Sequence, residues 1–512
     1  MKKRILSLVL ALSVCLSMLH IGAIAEVVDG NVTTFSIFAA GDGTVAAPYE
    51  IPDLATLEAF REYINTDTKH GSGLYFKLTR DIELNGSDDS QWTPIGTPQY
   101  PFSGTFDGGN HKVSGLYINR DEGNQGLFGY ITNGTVKNLK VKGMILASGF
   151  VGGIAGTLET NGTTSGRIEN CEFEGEIGES GNKASNTAVG GIVGYNHGSK
   201  VTGCHFTGKI TRENTEYVGG IVGQNVGNNT VIENCHNEGA ISISGNLAGK
   251  AGGIAGFNNN LAQIVNCHNS GTVNAAENAK LIGGITGVNN SKLERCYNTG
   301  SIKSVNSGYA GGISGQNNGS GGTISECYNV GTVTGTTPIG GIAGLNYESS
   351  KLTNCYNEGN IEGTGQVGGI VGQNYDGPTK KPTYGSVTNS YNKGSVTSNK
   401  NAGGIVGLNS PSGSTGAGTV TNCYYLDGTS SGGIDGNDVT GRAERKSVAQ
   451  FNSGEVSWLL QHGQSELVWV QELVKEQKDP YPLLVNTAIG ADHPKVLKLT
   501  YKTEANSSYA VD

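Results

Sequence analysis

The sequence predicts an all-β parallel solenoid in which each coil takes about thirty residues. A glycine-rich run, such as VGGIVGQN from Val218 to Asn225, recurs at that spacing. A second landmark with a cysteine and an asparagine follows each run, as in VIENCHNEG from Val231 to Gly239. A short β-prone stretch, here AISISG from Ala240, then leads to the next run. Such a unit buries its apolar face only against its neighbours, so the repeats predict stacked coils.

The number of copies argues against a nucleotide-binding loop, because a dinucleotide site needs only one. A GxGxxG match at Gly363, Gly365 and Gly368 lies on a repeat boundary where the sister repeats lack it. The nine runs begin at Val151, Val189, Val218, Ala251, Ile282, Ala310, Ile339, Val367 and Ala402.

The chain divides into five regions. Residues 1–25 read as a signal peptide, with Lys2, Lys3 and Arg4 before an apolar run and an A-x-A site ending at Ala25. We expect an N-terminal cap and first coils over 26–125, the repeat solenoid over 126–425 and a C-terminal cap over 426–485. The tail, 486–512, reads like the first strand of a further domain.

Both caps should contain a short helix. After Asp53, a natural N-cap, Leu54, Leu57, Phe60 and Ile64 share one helical face. The segment SVAQFNSGEVSWLLQHG is predicted to cover the other end with a helix-like apolar face. That face comprises Val448, Phe451, Val456, Trp458 and Leu459.

Stacking in register predicts columns of like residues. The isoleucine of each GGI run should be buried, next to a double glycine that forms a tight corner. The asparagines two residues after the cysteine should form a ladder of amide hydrogen bonds. These asparagines are Asn237, Asn269, Asn298, Asn329, Asn357 and Asn392.

The backbone should bend just before each cysteine. The buried aliphatic residue and the cysteine lie three positions apart, which a regular strand would place on opposite faces. The residue just before the cysteine is usually Asn or Gly, types that tolerate left-handed backbone. Arg295 and Glu326 break this pattern.

Eight cysteines remain after the signal peptide, and we predict free, buried thiols. In-register side chains keep the Cβ atoms near 4.8 Å apart, beyond the ~3.8 Å typical of a disulfide. Ser390 replaces the cysteine in one copy. No metal site or other cofactor is predicted, because cysteine and histidine never stand at ligand spacing.

The formal charge of -9, with only 15% charged residues, argues against nucleic acid as a partner. No segment after the signal peptide reaches the ~20 apolar residues of a transmembrane span. We expect a monomer or part of a larger surface assembly.

The GGIxG runs with their NCxNxG partners, the degenerate copy QGLFGY at Gln125 and the leader from Phe76 to Leu116 together resemble the GLUG-motif repeat family. This family consists of bacterial exported and cell-surface proteins, including adhesin-like ones. The resemblance implies a right-handed parallel β-helix-like scaffold, secreted or at the cell surface. We expect this scaffold to be structural or adhesive and to bind host or environmental glycans or surface proteins through the solenoid face. It implies no reaction.

The alternative is a β-helix polysaccharide-degrading enzyme, a lyase or hydrolase, which needs clustered carboxylates on neighbouring coils. Asp376 is the only aspartate between Asp121 and Asp427, and Glu358 and Glu362 are expected at a solvated edge. We therefore predict no catalytic residues.

Two short motifs that resemble functional sites are also interpreted as non-functional. A GxSxG match around Ser430 is attributed to chance in a chain with 82 glycines. The segment from Gly433 to Gly441 offers Asp435, Asn437 and Asp438 to calcium but is expected to be a plain turn.

The candidate binding surface is a stripe of aromatic residues directly after the ladder cysteines. We expect these rings to be exposed in register, either as a structural ladder or as a stripe that stacks on sugars or peptides. If the stripe binds a ligand, serine at Tyr297, Tyr328, Tyr356 and Tyr391 should leave the fold intact but weaken glycan or cell-surface binding. The stripe comprises His205, His236, His268, Tyr297, Tyr328, Tyr356, Tyr391 and Tyr424.

Overall fold

The computed structural model of this chain is a parallel β-solenoid of about eleven turns with roughly 31 residues per turn, which confirms the predicted fold class. The structure describes residues 38, 40–121, 123–180, 188–245, 249–276, 281–305, 308–336, 338–375, 385–400, 402–409, 418–474, 478–485, 495–500 and 507–511. The predicted signal peptide and Asp376 lie outside these residues.

Each complete coil passes through four parallel sheets. Sheet 1 holds the strand that ends in the glycine pair, and sheet 2 holds the strand that follows it. Sheet 3 precedes the cysteine, and sheet 4 follows it. The coil spanning Tyr217 to Ser244 shows this order.

The strands of sheet 1 are Phe150–Gly152, Ala188–Gly190, Tyr217–Gly219, Lys250–Gly252, Leu281–Gly283, Tyr309–Gly311, Ile339–Gly340, Val367–Gly368 and Ala402–Gly403. Those of sheet 2 are Phe128–Thr132, Ala155–Glu159, Val193–His197, Val222–Val226, Ala255–Asn259, Thr286–Asn289, Ser314–Asn318, Ala343–Tyr347, Val371–Tyr375 and Val406–Asn409. Those of sheet 3 are Tyr49–Ile51, Tyr75–Leu78, Thr105–Asp107, Thr135–Lys137, Arg167–Glu169, Lys200–Thr202, Val231–Glu233, Gln263–Val265, Lys292–Glu294, Thr323–Ser325, Lys351–Thr353, Ser386–Thr388 and Thr419–Thr421.

Sheet 4 begins with unbroken strands, and its middle coils each contribute two short ones. The strands are Ile82–Glu83, Lys112–Arg120, Lys140–Ala147, Glu172–Gly178, His205–Glu213, His236–Asn237, Ala240–Ser244, His268–Asn269, Val273–Ala275, Tyr297–Asn298, Ile302–Ser304, Tyr328–Asn329, Val333–Thr334, Tyr356–Asn357, Ile361–Gly363, Tyr391–Asn392, Val396–Ser398, Cys423–Leu426 and Ala443–Lys446. Two antiparallel pairs lie outside the four sheets: Trp469–Val470 with Leu483–Leu484, and Val496–Thr500 with Ser507–Val511.

The double glycine forms the predicted corner between sheets 1 and 2. A methyl group at Gly253 would lie 2.2 Å from the carbonyl oxygen of Gly284 and 2.3 Å from the Cγ atom of Asn269. Only glycine lets successive coils approach this closely. The isoleucine after each pair, such as Ile254, is fully buried, as predicted.

Two asparagine ladders run through the interior. In the predicted ladder on sheet 4, the Nδ2 atom of Asn269 donates to Oδ1 of Asn298 at 2.7 Å, and the pattern continues from coil to coil. A second ladder on sheet 2 was not predicted. Its members, bonded at 2.8 to 3.0 Å, are Asn196, Asn225, Asn258, Asn289, Asn317, Asn346, Asn374 and Asn409.

The predicted bend before each cysteine is confirmed by positive φ angles. Asn234 has a φ of 53°, and the two exceptions in the sequence pattern, Arg295 and Glu326, adopt the same backbone at 51° and 52°. The stacked coils impose the left-handed conformation on these two residues despite their Cβ atoms.

The eight cysteines are buried and free, in one column. The backbone N–H of Cys204 donates to the sulfur of Cys235, one coil on, at 3.4 Å. The hydroxyl of Ser390 accepts the equivalent bond from Cys355 at 3.1 Å, so a serine satisfies the same backbone group.

At the N-terminal end, helix α1 (Leu54–Thr66) covers the open core as predicted. The side chain of Asp53 accepts a hydrogen bond from the N–H of Thr56 at 2.9 Å. Leu57, Phe60 and Ile64 are fully buried, and the ring of Phe60 packs on that of Phe76 with centroids 4.5 Å apart.

The predicted C-terminal capping role is wrong for the two helices there, α2 (Val448–Asn452) and α3 (Glu455–Gln461). They pack against the outer side of sheet 4 instead of covering the end of the core. Val448 is exposed, whereas Phe451 and Val456 are buried in this lateral contact. The turn containing Ile434 continues the main core beyond the last complete coil.

Candidate functional site

The eight aromatic residues after the cysteines form one continuous column, here called the aromatic column, and their predicted register is confirmed. The rings of His268 and Tyr297 stack with centroids 4.7 Å apart and planes within 6° of parallel. Those of Tyr328 and Tyr356 lie 4.8 Å apart and within 1°. Stacking of this kind follows from one ring per coil at the inter-strand spacing.

The predicted exposure is wrong for the C-terminal half of the column. Tyr328, Tyr356, Tyr391 and Tyr424 are all at most 5% exposed. The chain from α2 to Leu484, here called the C-terminal flank, covers them with the buried residues Phe451, Val456, Leu460, Val468, Trp469 and Leu484. These four tyrosines therefore stabilise the fold and cannot form a ligand-binding surface while the flank is in place.

The N-terminal half of the column stays accessible. The side chains of His205 and His236 are 32% and 25% exposed, and His268 and Tyr297 are half-buried. Burial, followed by the charge of His236, lowers the pKa of His268 to about 4. Burial likewise lowers the pKa of His236. These two imidazoles are therefore neutral at pH 7.

A second outward surface lies where sheets 1 and 2 meet, and we call it the aromatic groove. It contains an open cavity of about 510 Å³. The lining residues are Tyr309, Gln316, Leu345, Tyr347, Gln373 and Tyr375.

Strand alternation positions these side chains. In the strand Ala343–Tyr347, Asn346 joins the internal ladder, so Leu345 and Tyr347 face outward. Leu345 is in register with Gln316 and Gln373 on the neighbouring coils. The groove thus has an aliphatic floor between two amides.

Parallel rings form one wall of the cavity. Tyr347 and Tyr375 stack with centroids 5.5 Å apart and planes within 10° of parallel. Tyr309 contributes a third half-exposed ring from sheet 1. All six lining residues are uncharged, so the cavity suits a neutral ligand with apolar faces and hydroxyl groups.

Similar pairs continue along the same corner of the solenoid. The rings of Phe150 and Tyr195 lie 5.0 Å apart, and those of Tyr217 and Phe257 lie 5.2 Å apart. The ammonium group of Lys250 lies 4.4 Å from the centroid of the Tyr217 ring. An extended ligand would meet aromatic surfaces on several coils.

Sequence reasoning missed the groove because its members come from different strands and vary between repeats. The signal was present in the third residue of the eight sheet 2 strands that carry the second asparagine ladder. These residues are Tyr195, Gln224, Phe257, Val288, Gln316, Leu345, Gln373 and Leu408. Each of these stands one residue before an asparagine of the second ladder.

The other sequence motifs have structural partners. The Glu358 carboxylate pairs with the Lys393 ammonium at 2.9 Å, and the Ser430 hydroxyl donates to the carbonyl of Gly432 at 3.1 Å. Asp435 accepts a hydrogen bond from the N–H of Asn409, and Asp438 accepts one from the Tyr425 hydroxyl. These contacts fit the predicted turn around Asp435.

The fold and these open surfaces define the class: a repeat protein that presents lateral faces of a β-solenoid. The family model of the GLUG motif matches residues 185–211, 214–243 and 363–397, each of which covers part of one coil. These matches confirm GLUG-type repeats in the chain, as its sequence motifs predicted.

Two curated relatives share part of this sequence. The chain is 36% identical over 144 residues to the "Putative Gly-rich membrane protein" of Evansella cellulosilytica, covering 27% of this chain and 16% of that protein. It is 29% identical over 182 residues to "Halomucin" of Haloquadratum walsbyi, covering 34% of this chain and 2% of that protein. The chain therefore spans only a small fraction of either relative's length.

A solved structure, the crystal structure of a "putative immunoglobulin A1 protease" from Bacteroides ovatus, aligns with 87% of this chain and 95% of that one. The identity is 17% and the TM-score 0.30, too low to support an argument about fold or activity. Within the described part of this chain, no helix has the length and apolar character to cross a membrane.

Proposed function

We propose that this GLUG-repeat protein is an exported scaffold, secreted or held at the cell surface, that binds neutral glycans through the aromatic groove. The observation that carries the proposal is the cavity formed by three tyrosine rings and two glutamine amides around Leu345. The signal-like sequence of residues 1–25 supports export.

The chemistry of the groove matches a sugar better than a charged ligand. The apolar face of a pyranose ring packs on an aromatic face, and its hydroxyl groups both donate and accept hydrogen bonds. The side-chain amides of Gln316 and Gln373 lie beside the rings, and each offers hydrogen-bond donors and an acceptor. A stacking contribution on the order of 1 kcal/mol per ring gives weak binding at one coil and stronger binding along several.

The test is binding to a glycan array by the wild type and by a variant with Tyr309, Tyr347 and Tyr375 changed to Ser. All three rings are partly exposed, so the variant should keep the fold. We expect the wild type to bind neutral glycans and the variant to lose about tenfold or more of its affinity.

The matched control is Tyr297→Ser, which removes a half-exposed ring from the aromatic column on another face. It should bind as the wild type does. Loss of binding in the control but not in the groove variant would assign recognition to the column and contradict the proposal. Cleavage of a polysaccharide by the purified chain would favour an enzyme instead.

A further inference from the structure

The accessible part of the aromatic column brings two imidazoles next to a carboxylate. His205 and His236 occupy equivalent positions on successive coils, and Glu238 lies two residues after His236. The Nε2 atoms of the two histidines lie 3.7 Å and 3.5 Å from the Glu238 carboxylate. One ligand atom from each residue lies within 4.8 Å of the other two.

We propose that His205, His236 and Glu238 bind one divalent transition-metal ion of the zinc, nickel or copper type. Imidazole nitrogen with a carboxylate oxygen is a donor set that these ions accept. With metal–ligand bonds of about 2.0 to 2.2 Å, two ligand atoms of a tetrahedral ion lie about 3.4 Å apart. The two histidine–carboxylate distances are already close to that value.

An unsatisfied nitrogen points to a ligand at this place. The Nε2 atom of His205 is buried, and it makes no hydrogen bond within the described residues. Its 3.7 Å distance to Glu238 is too long for one. Buried polar atoms are normally paired, and a bound ion would satisfy this one.

The stacked rings determine how the ion could bind. The planes of His205 and His236 lie within 13° of parallel, with centroids 4.7 Å apart. Imidazole lone pairs lie in the ring plane, so two parallel rings do not converge on one point. At least one ring must rotate on binding, and we expect weaker affinity than at a preformed structural zinc site.

The location leaves the site open to solvent. The C-terminal flank begins to cover the column at Tyr328, three coils beyond His236. The Glu238 side chain is 49% exposed. An ion can therefore enter without movement of the flank.

The experiment is titration of the metal-free full chain, without a histidine tag, with zinc chloride and nickel chloride in a calorimeter. We expect one site per chain. His205→Gln, His236→Gln and Glu238→Gln should each weaken binding by about tenfold or more. Electron paramagnetic resonance of the copper complex should show two nitrogen ligands, and one in His205→Gln.

His111→Gln is the matched control. His111 also faces a single carboxylate, that of Asp81, at 3.3 Å, but among the described residues this pair belongs to no group of three potential metal ligands. The control should bind one ion as the wild type does. Glu238→Gln keeps the shape of an exposed side chain, so it is informative even if a histidine variant fails to fold. Absence of saturable binding, or equal binding by Glu238→Gln and the wild type, would overturn the proposal.

Discussion

The hydroxyl of Tyr391 donates a hydrogen bond to the carbonyl oxygen of Pro482, 2.8 Å away, although 91 residues separate them. This bond fixes the C-terminal flank to the side of the solenoid. The ring of Trp469 packs on the same tyrosine, with centroids 5.7 Å apart. The aromatic column is thus an internal surface at one end and an external one at the other.

This contact predicts that Tyr391→Phe destabilises the chain by about 1 kcal/mol through loss of one buried hydrogen bond. Tyr391→Ser should cost about 3 to 5 kcal/mol, since it also leaves a cavity. Tyr297→Ser, at a half-exposed ring of the same column, should change stability much less. The measurement is the urea midpoint followed by tryptophan fluorescence.

Equal midpoints for Tyr391→Ser and Tyr297→Ser would show that the flank does not rest on the column in solution. The same geometry reverses the expectation that serine at Tyr297, Tyr328, Tyr356 and Tyr391 leaves the fold intact. Three of these four rings are almost fully buried. Their combined replacement should unfold the flank.

The glycine corner gives a second prediction, that Gly253→Ala destabilises the chain by about 3 kcal/mol or more. The added methyl would meet backbone of the next coil at 2.2 Å, which neither coil can relieve without breaking the ladder. Gly123→Ala is the control, because nothing lies within 4 Å of its added Cβ. Thermal unfolding followed by circular dichroism measures both; an unchanged melting temperature for Gly253→Ala would contradict the packing at this corner.

The fold was predictable because the spacing of the sequence repeat equals the length of one coil. A coil of fixed length places each residue over its counterpart, so buried Ile254 and the Asn269 ladder follow from spacing alone. The bend before the cysteine followed from a conflict with strand alternation. Even the exceptions to the sequence pattern, such as Arg295, adopt the positive φ that the stacked coils impose.

The surfaces were less predictable, because they depend on long-range packing. Nothing in the repeat indicates that Trp469 folds back over Tyr391, since the flank lies outside the repeating pattern. The proximity of His205 to Glu238 needs one full coil plus two residues of register, a spacing that no short metal motif shows. The histidine register is visible in the sequence, but the two histidines and the carboxylate come together only when successive coils stack.

The cysteine column predicts thiols that are unreactive in the native protein. All eight thiols are buried, which shields them from a reagent, and burial also raises the pKa of the Cys423 thiol to about 12. A thiol reagent should therefore label few of the eight cysteines before denaturation and nearly all of them after denaturation under non-reducing conditions. Two or fewer reactive thiols in the denatured chain would mean that disulfides form across coils.

The left-handed backbone at Arg295 predicts a stabilising substitution. Left-handed backbone costs most residues that carry a Cβ atom about 1 to 2 kcal/mol, but it costs asparagine less because its short polar side chain can hydrogen-bond locally. Asparagine occupies the equivalent position in several other coils. Arg295→Asn should therefore raise stability by about 0.5 to 1 kcal/mol, even though it removes the 2.9 Å bond from Nε to the Asn266 amide oxygen. The Asn389 amide oxygen accepts a bond from the Asn422 side chain at 2.8 Å, which shows that neighbouring asparagines at this position can pair with each other.

Arg295→Ala is the matched control, because it loses the same contact and keeps the strain; it should be no more stable than the wild type. Urea unfolding of the wild type and the two variants measures their free energies of unfolding. An asparagine variant no more stable than the alanine variant would show that the backbone at this bend carries no strain.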